Sequence, residues 1–296
     1  MNSPAEERNP RTLGIDLLPT LEVLRLINEE DALVAGAVGA ELPAISVVVE
    51  GAVEALASGG RLIYVGAGTS GRLGVLDAAE CMPTYGLDPD KVVAVLAGGA
   101  AAIGSAVEDA EDDSEAGALA MRALNVGPED LVLGIASSGR TPYVVGALRQ
   151  ARLLGAATAA LVGTRDGPVA AAAQSVVAPR TGAEAITGST RMKAGTAQKM
   201  VLNMISTATM VRLGRTYGNL MVDMKPTNDK LRHRSAKIVA AAAQVDIEAA
   251  MCALADAGGE IKTAIVSLTL NYPPEQARER LARGGGVIRR ALEEPG

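Results

Sequence analysis

The stretch Arg61–Cys81, RLIYVGAGTSGRLGVLDAAEC, decides how this chain folds. Its first part, LIYVG, is rich in β-branched and aromatic residues, a composition that predicts a strand. GAGTSGR then supplies three glycines and two hydroxyls, and LGVLDAAEC has leucines at helical spacing. A strand, a Gly/Ser turn and a helix start together form an anion site, because backbone N–H groups and the helix dipole both favour negative charge there. The stretch therefore predicts a phosphate or phosphosugar site, with Ser70 as the N-cap of the helix.

The same glycines also fit a loose GxGxxG pattern, which alone is a weak signal for a dinucleotide. That fingerprint expects an acidic residue about 20 residues later on a second strand. The next strand, KVVAVLAGG, carries no acid at its end. Hydroxyls at Thr69 and Ser70, where a dinucleotide turn presents bare backbone, favour a phosphosugar over a nucleotide.

Composition narrows the classes of function. The chain has 296 residues, a net charge of −6, and aromatic residues that are all Tyr, which argues against nucleic-acid binding. No apolar run approaches the roughly 18 residues of a membrane span, and the polar start predicts no signal peptide. Cys81 and Cys252 are too few for a disulfide framework, which suits a reducing cytoplasm. A single histidine, His233, argues against a metal cluster.

Apolar strands alternate with helical segments from residue 61 onward, a pattern that predicts an α/β fold with a parallel sheet flanked by helices on both faces. Ligands of such sheets bind at the carboxyl ends of the strands. We expect strands at 61–66, 92–97, 131–136 and 158–162, with a weaker one near 175–178.

The regions outside the sheet are predicted to be helical. Residues 1–20 are expected to form a mobile arm, and a long helix is expected at 190–213. Only helices are expected in 227–296. These patterns predict an N-terminal helical segment at 1–55, a phosphosugar-binding domain at 56–218 and a small all-helical C-terminal domain at 219–296.

Three segments are expected to converge on an anion at the sheet edge: GAGTSGR, ASSGRTP at 136–142, and GAEAITGSTRMKAG at 182–195. Two hydroxyl-rich turns between a strand and a helix are more specific together than either alone. The alternative for SSGRTP is an ordinary capped turn. Arg191 and Lys193 could instead pair with acids on the surface.

Two carboxylates are candidates for the chemistry. Glu80 lies in the apolar setting DAAEC, shortly after the first turn. Glu111 lies in AVEDAEDDSE, an acidic run that would otherwise indicate a solvated helix face. Two carboxyls can divide acid and base work when their surroundings separate their pKa values.

Long motifs of this chain resemble one family, the N-acetylmuramic acid 6-phosphate etherases of the sugar isomerase (SIS) domain superfamily. They are LIYVGAGTSGRLGVLDAAEC, GIASSGRTPYV and AITGSTRMKAGTAQKMVLNMIST, and the similarity extends from about Thr20 to GGGVIRRALE near the end. The resemblance implies a SIS-type αβα sandwich and a lyase that cleaves the lactyl ether of its substrate, giving N-acetylglucosamine 6-phosphate and D-lactate. It also implies cell-wall amino-sugar recycling, a homodimer, no metal and no organic cofactor.

The resemblance also assigns residues. Glu80 matches the family's glutamate before a cysteine and acts as the acid on the departing ether oxygen. Glu111 matches the glutamate of its A-E-D motif and acts as a base at C2. Met82 stands where the family usually has proline. The candidates for phosphosugar binding are Gly68, Thr69, Ser70, Ser137, Ser138, Gly139, Thr141, Glu184 and Arg191.

Two other functions share these motifs. A phosphosugar aldose–ketose isomerase has the same fold and phosphate turns, and released D-lactate would exclude it. A non-catalytic phosphosugar sensor, as in the glucokinase regulatory protein, has two SIS domains, whereas this chain has room for one.

Overall fold

The computed structural model describes residues 6–105, 107, 109–225 and 229–293, and a five-stranded sheet lies at its centre. The strands lie in the order β2-β1-β3-β4-β5, and every neighbouring pair is parallel. The predicted α/β fold with a parallel sheet is therefore confirmed. The strands are β1 (Leu62–Gly66), β2 (Val92–Leu96), β3 (Leu131–Ala136), β4 (Ala157–Val162) and β5 (Ser175–Val177).

The apolar sequence of the central strands explains their position. Every residue of β1 and β3 is buried, because a sheet covered on both faces removes all of its side chains from water. Gly66 of β1 lies beside Leu96 of β2 and Ile135 of β3. These three strands therefore end at one edge of the sheet, which is where ligands bind in open parallel sheets.

Helices surround the sheet, and α6 packs closely on α7 because glycines lie at their contact. A Cβ on Gly117 would come within 2.0 Å of the Tyr143 carbonyl oxygen, and one on Gly146 within 1.8 Å of that of Ser114. Helix α8 was not predicted. The helices up to residue 212 are α1 (Thr20–Asp31), α2 (Val34–Gly39), α3 (Leu42–Ala57), α4 (Gly68–Tyr85), α5 (Ala101–Gly104), α6 (Ser114–Ala123), α7 (Pro142–Leu153), α8 (Pro168–Ala172) and α9 (Lys193–Arg212).

The N-terminal segment is ordered where a mobile arm was predicted. It forms two short 3-10 helices, Pro10–Thr12 and Ile15–Leu17. The side chain of Asn9 donates to the carbonyl of Ala183, and the Thr12 hydroxyl donates to that of Ala185 at 2.8 Å. The prediction was wrong for these residues because their partners lie more than 170 positions away. Residues 1–5 lie outside the described residues.

The chain divides into two compact units that differ from the predicted domains. The first contains the described residues up to Ala79 together with Pro89–Thr207, so the N-terminal helices belong with the sheet. The second contains Glu80–Asp88 and the described residues from Ala208 onward. The expected boundary at 218 was wrong, since the second unit begins within α9.

The second unit is helical apart from a small hairpin that was not predicted. Strands β6 (Thr216–Tyr217) and β7 (Leu220–Met221) are antiparallel and precede the helices. Across the described residues of both units, no single helix is long and apolar enough to cross a membrane, although two bent helix pairs meet the limits of length and composition. The helices of this unit are α10 (Asp229–Ala243), α11 (Ile247–Asp256), α12 (Ile261–Leu270), α13 (Pro274–Arg283) and α14 (Ile288–Glu293).

Candidate functional site

The first predicted turn joins β1 to α4 and is built around close backbone contacts. A Cβ on Gly66 would lie 2.8 Å from the backbone of Gly71, so these two positions bring the helix start against the strand. Gly68 is the first residue of α4 and has φ +52°, a left-handed conformation that favours glycine. Ser70 therefore lies inside the first turn of the helix, and its predicted role as N-cap was wrong.

A glutamine links the first two hydroxyl-rich turns. The Ser70 hydroxyl donates to Gln198 Oε1 at 2.9 Å, and Gln198 Nε2 donates to Ser137 Oγ at 3.0 Å. Ser70 and Gln198 are buried, whereas Ser137 is half-buried. The ends of β1 and β3 are thus joined through the side chain of a residue on α9. Sequence reasoning missed Gln198, and its position four residues after Ala194, within the third segment's helix, was the available signal.

The second turn, after β3, presents several half-buried hydroxyls. Gly139 has φ +68°, and its N–H donates to the Ala136 carbonyl at 3.0 Å. Ser138 Oγ accepts from the backbone N–H of Arg140 at 3.2 Å. Thr141 precedes the first residue of α7 but makes no side-chain cap bond. Ser138 and Thr141 are half-buried, as Ser137 is.

Glu184 in the third segment caps α9. Its side chain is fully buried, and its two oxygens accept from the backbone N–H groups of Lys193 at 2.9 Å and Ala194 at 3.0 Å. A carboxylate here also complements the helix dipole. In this arrangement Glu184 positions the turn and does not face solvent, which differs from its predicted role in binding substrate. Arg191 in the same segment is exposed.

Lys193 forms a buried ion pair, which corrects the alternative that it pairs on the surface. Its Nζ lies 2.5 Å from Glu30 Oε2, and both side chains are about as buried as the apolar core, at 2% and 3% exposure. Arg11 Nη1 approaches the other carboxylate oxygen at 3.2 Å. Burial by itself would raise the pKa of Glu30, but the hydrogen bond and charge of Lys193, helped by Asn9 and Arg11, outweigh it and lower the pKa.

Glu111 and the first turn line one cavity of about 240 Å³ in the sheet unit. Gly68 and Arg72 contribute from the first turns of α4, and Asp109 and Glu111 contribute from the segment before α6. Glu111 is exposed, and its carbonyl accepts from the Tyr143 N–H at 3.0 Å. This segment forms turns, so the alternative of a solvated helix face does not describe Glu111.

Glu80 lies on α4 and is exposed. It belongs to the second unit, whereas Glu111 belongs to the first. Earlier on the same helix, the buried carboxylate of Asp77 accepts from the Tyr64 hydroxyl at 2.8 Å and from Asn203 Nδ2 at 2.6 Å. Those bonds fix the middle of α4 within the sheet unit.

Comparisons with known proteins identify the family. A protein of Cutibacterium acnes named N-acetylmuramic acid 6-phosphate etherase is 55% identical over 98% of this chain and 95% of its own length. The protein of that name from Halalkalibacterium halodurans is 50% identical over 98% of this chain and 97% of its own. The chain belongs to the N-acetylmuramic acid 6-phosphate etherase family. The predicted resemblance is confirmed.

The domain and structure comparisons agree that this etherase-family chain has a SIS fold. Residues 44–152 match the glucokinase regulatory protein N-terminal SIS domain, and residues 102–208 match the SIS domain. A solved protein of Bacteroides fragilis, named as a phosphosugar isomerase involved in capsule formation, superposes with a TM-score of 0.51. It shares 22% identity and covers 66% of this chain and 91% of its own, a likeness that shows the fold alone.

Proposed function

We propose that the chain cleaves the D-lactyl ether of N-acetylmuramic acid 6-phosphate, giving N-acetylglucosamine 6-phosphate and D-lactate in cell-wall amino-sugar recycling. Near full-length similarity to proteins named as etherases supports the substrate and the lyase reaction. The observation that carries the proposal is the cavity that Gly68 and Glu111 share. It places a carboxylate beside the turn expected to hold a phosphosugar.

The proposed chemistry is an elimination followed by addition of water. When the sugar ring opens, an aldehyde forms at C1 and makes the C2 proton acidic, so that a carboxylate such as Glu111 can remove it. The ether at C3 is a poor leaving group, so Glu80 acts as an acid and protonates its oxygen. D-Lactate departs with that oxygen and leaves an unsaturated aldehyde. Water then adds its hydroxyl at C3 while a proton returns to C2.

The phosphate supplies binding energy away from the reacting carbon atoms and thereby positions them. Its proposed ligands are the turns after β1 and β3, where Thr69, Ser137, Ser138 and Thr141 are half-buried and the turns meet at the carboxyl edge of the sheet. Ser70 joins them through the glutamine link described above.

One assay tests the proposal and separates it from both alternatives. The purified protein is incubated with N-acetylmuramic acid 6-phosphate, and D-lactate is measured with a stereospecific lactate dehydrogenase. We expect stoichiometric D-lactate and N-acetylglucosamine 6-phosphate. An isomerase or a sensor releases no lactate, so its absence at high protein concentration would refute the proposal.

We further propose that the protein acts in the cytoplasm as a homodimer. Two free cysteines, Cys81 and Cys252, suit a reducing compartment. The dimer is carried over from the family resemblance. Light scattering coupled to size-exclusion chromatography gives the mass directly, and a mass of one chain would contradict the dimer.

A further inference from the structure

Arg72 is a cation in the cavity that holds Glu111, and the proposed mechanism does not use it. Its Nε donates to the carbonyls of Ala102 at 2.9 Å and Ile103 at 3.0 Å, and its Nη2 donates to that of Ser105 at 2.8 Å. Its partners among the described residues are all neutral oxygens. These bonds hold the guanidinium in place without cancelling its charge.

The charges around the cavity make a cation necessary for the proposed substrate. Asp109 and Glu111 both line the cavity and both carry carboxylates. The lactyl group attached at C3 ends in a third carboxylate, which lies within a few bonds of the carbon that Glu111 deprotonates. Like charges at this range repel, whereas an arginine binds a carboxylate through two parallel N–H groups.

We propose that Arg72 is a specificity-determining residue that binds the lactyl carboxylate of the substrate. The inference rests on the proposed function, since that carboxylate belongs to the proposed substrate. Arg72 lies in the turn GAGTSGR, close to the expected phosphate site, so one short segment of α4 addresses both ends of the ligand. The three carbonyl bonds fix the guanidinium in advance, which lowers the entropic cost of binding.

The test compares two substrates that differ only in this charge: N-acetylmuramic acid 6-phosphate and its lactamide, in which a neutral amide replaces the carboxylate. The selectivity is the ratio of kcat/KM for the acid to kcat/KM for the amide. Any general disturbance of the turn, including loss of the carbonyl bonds, acts on both substrates and cancels in the ratio.

We expect the wild-type protein to prefer the acid by about tenfold or more, as a charge-assisted hydrogen bond predicts. Arg72→Gln should bring the ratio close to one, and Arg72→Lys should keep part of the preference because it keeps the charge. Arg149→Gln on α7 changes the same exposed charge away from the cavity and should leave the ratio unaltered.

The outcomes separate this inference from the proposed function. If the wild-type protein releases lactate and Arg72→Gln retains the wild-type ratio, the inference is wrong and the proposed function stands. If both substrates lose activity equally in Arg72→Gln, Arg72 only positions the turn or contacts the phosphate, which also overturns the inference. If the wild-type protein releases neither lactate nor lactamide, the proposed function and the inference fall together.

Discussion

The buried ion pair between Lys193 and Glu30 allows a quantitative prediction about stability. Lys193→Met removes the cation and leaves a carboxylate that is 2% exposed, with Arg11 as its remaining ionic partner at 3.2 Å. Breaking a buried pair costs about 3–5 kcal/mol. Because Arg11 still contacts Glu30, we expect a loss near the lower limit, about 3 kcal/mol in the free energy of unfolding.

The pH dependence of that loss follows from the pKa of Glu30, which lies below its ordinary value of 4.5 in the folded protein. A lowered pKa contributes stability that is present above the unfolded value and disappears as the pH falls through the folded value. Without Lys193, burial dominates and raises the pKa, so the variant loses stability as the pH rises above 4.5. The variant should therefore be more destabilised near pH 7 than near pH 4.

Urea denaturation of both proteins at the two pH values measures this effect. Arg25→Met is the matched control, because Arg25 pairs with Glu22 at 2.6 Å on the surface and such a pair contributes about 0–1 kcal/mol. Adding Glu30→Gln to Lys193→Met should recover part of the loss. If Lys193→Met and Arg25→Met cost the same at neutral pH, the argument from burial is refuted.

Three further predictions concern the reaction. Glu80→Gln should remove most turnover while keeping affinity for N-acetylglucosamine 6-phosphate, because the amide cannot donate the proton; near-normal lactate release would contradict its role. Ser138→Ala should weaken that affinity by about 1.5–3 kcal/mol, and an unchanged value by calorimetry would place the phosphate elsewhere. In deuterated, oxygen-labelled water, mass spectrometry should find deuterium at C2 and label at C3 of the sugar. Label found in the lactate instead would refute the elimination and the role of Glu111.

Local patterns in the sequence were sufficient to predict the sheet. β3 spans the predicted residues 131–136, and the other strands begin or end within a residue of their predicted limits, because buried parallel strands are continuous apolar runs between turns. The close approach of Gly66 and Gly71 was also encoded locally, in the spacing of the glycines.

Long-range contacts account for what the sequence did not predict. Glu184 looked like a binding residue because it lies next to GSTR, yet its carboxylate caps the helix nine residues later. Gln198 carries no recognisable motif, and its bond to Ser70 joins positions 128 residues apart. Hydrogen-bond partners at such separations depend on the folded backbone, and residue type and local spacing do not specify them.

The glutamine link also determines which serine can serve the phosphate. Gln198 presents one acceptor and one donor, and each serine hydroxyl has a single hydrogen. Ser70 gives its hydrogen to Gln198 Oε1, whereas Ser137 accepts from Nε2 and keeps its own hydrogen for another acceptor. A bound phosphate has only acceptors to offer, so Ser137 is the serine of this pair that is ready to donate.

Ser137→Ala should therefore weaken affinity for N-acetylglucosamine 6-phosphate more than Ser70→Ala does. We expect a loss of about 1.5–3 kcal/mol for the first, which removes a hydrogen bond to a charged acceptor. Ser70→Ala removes a neutral bond within the protein, which is worth about 1 kcal/mol. Calorimetric titration of both variants gives the order. A larger loss for Ser70→Ala would mean that the amide of Gln198 turns over when phosphate binds, so that Ser137 gives its hydrogen to Oε1 and Ser70 becomes the donor.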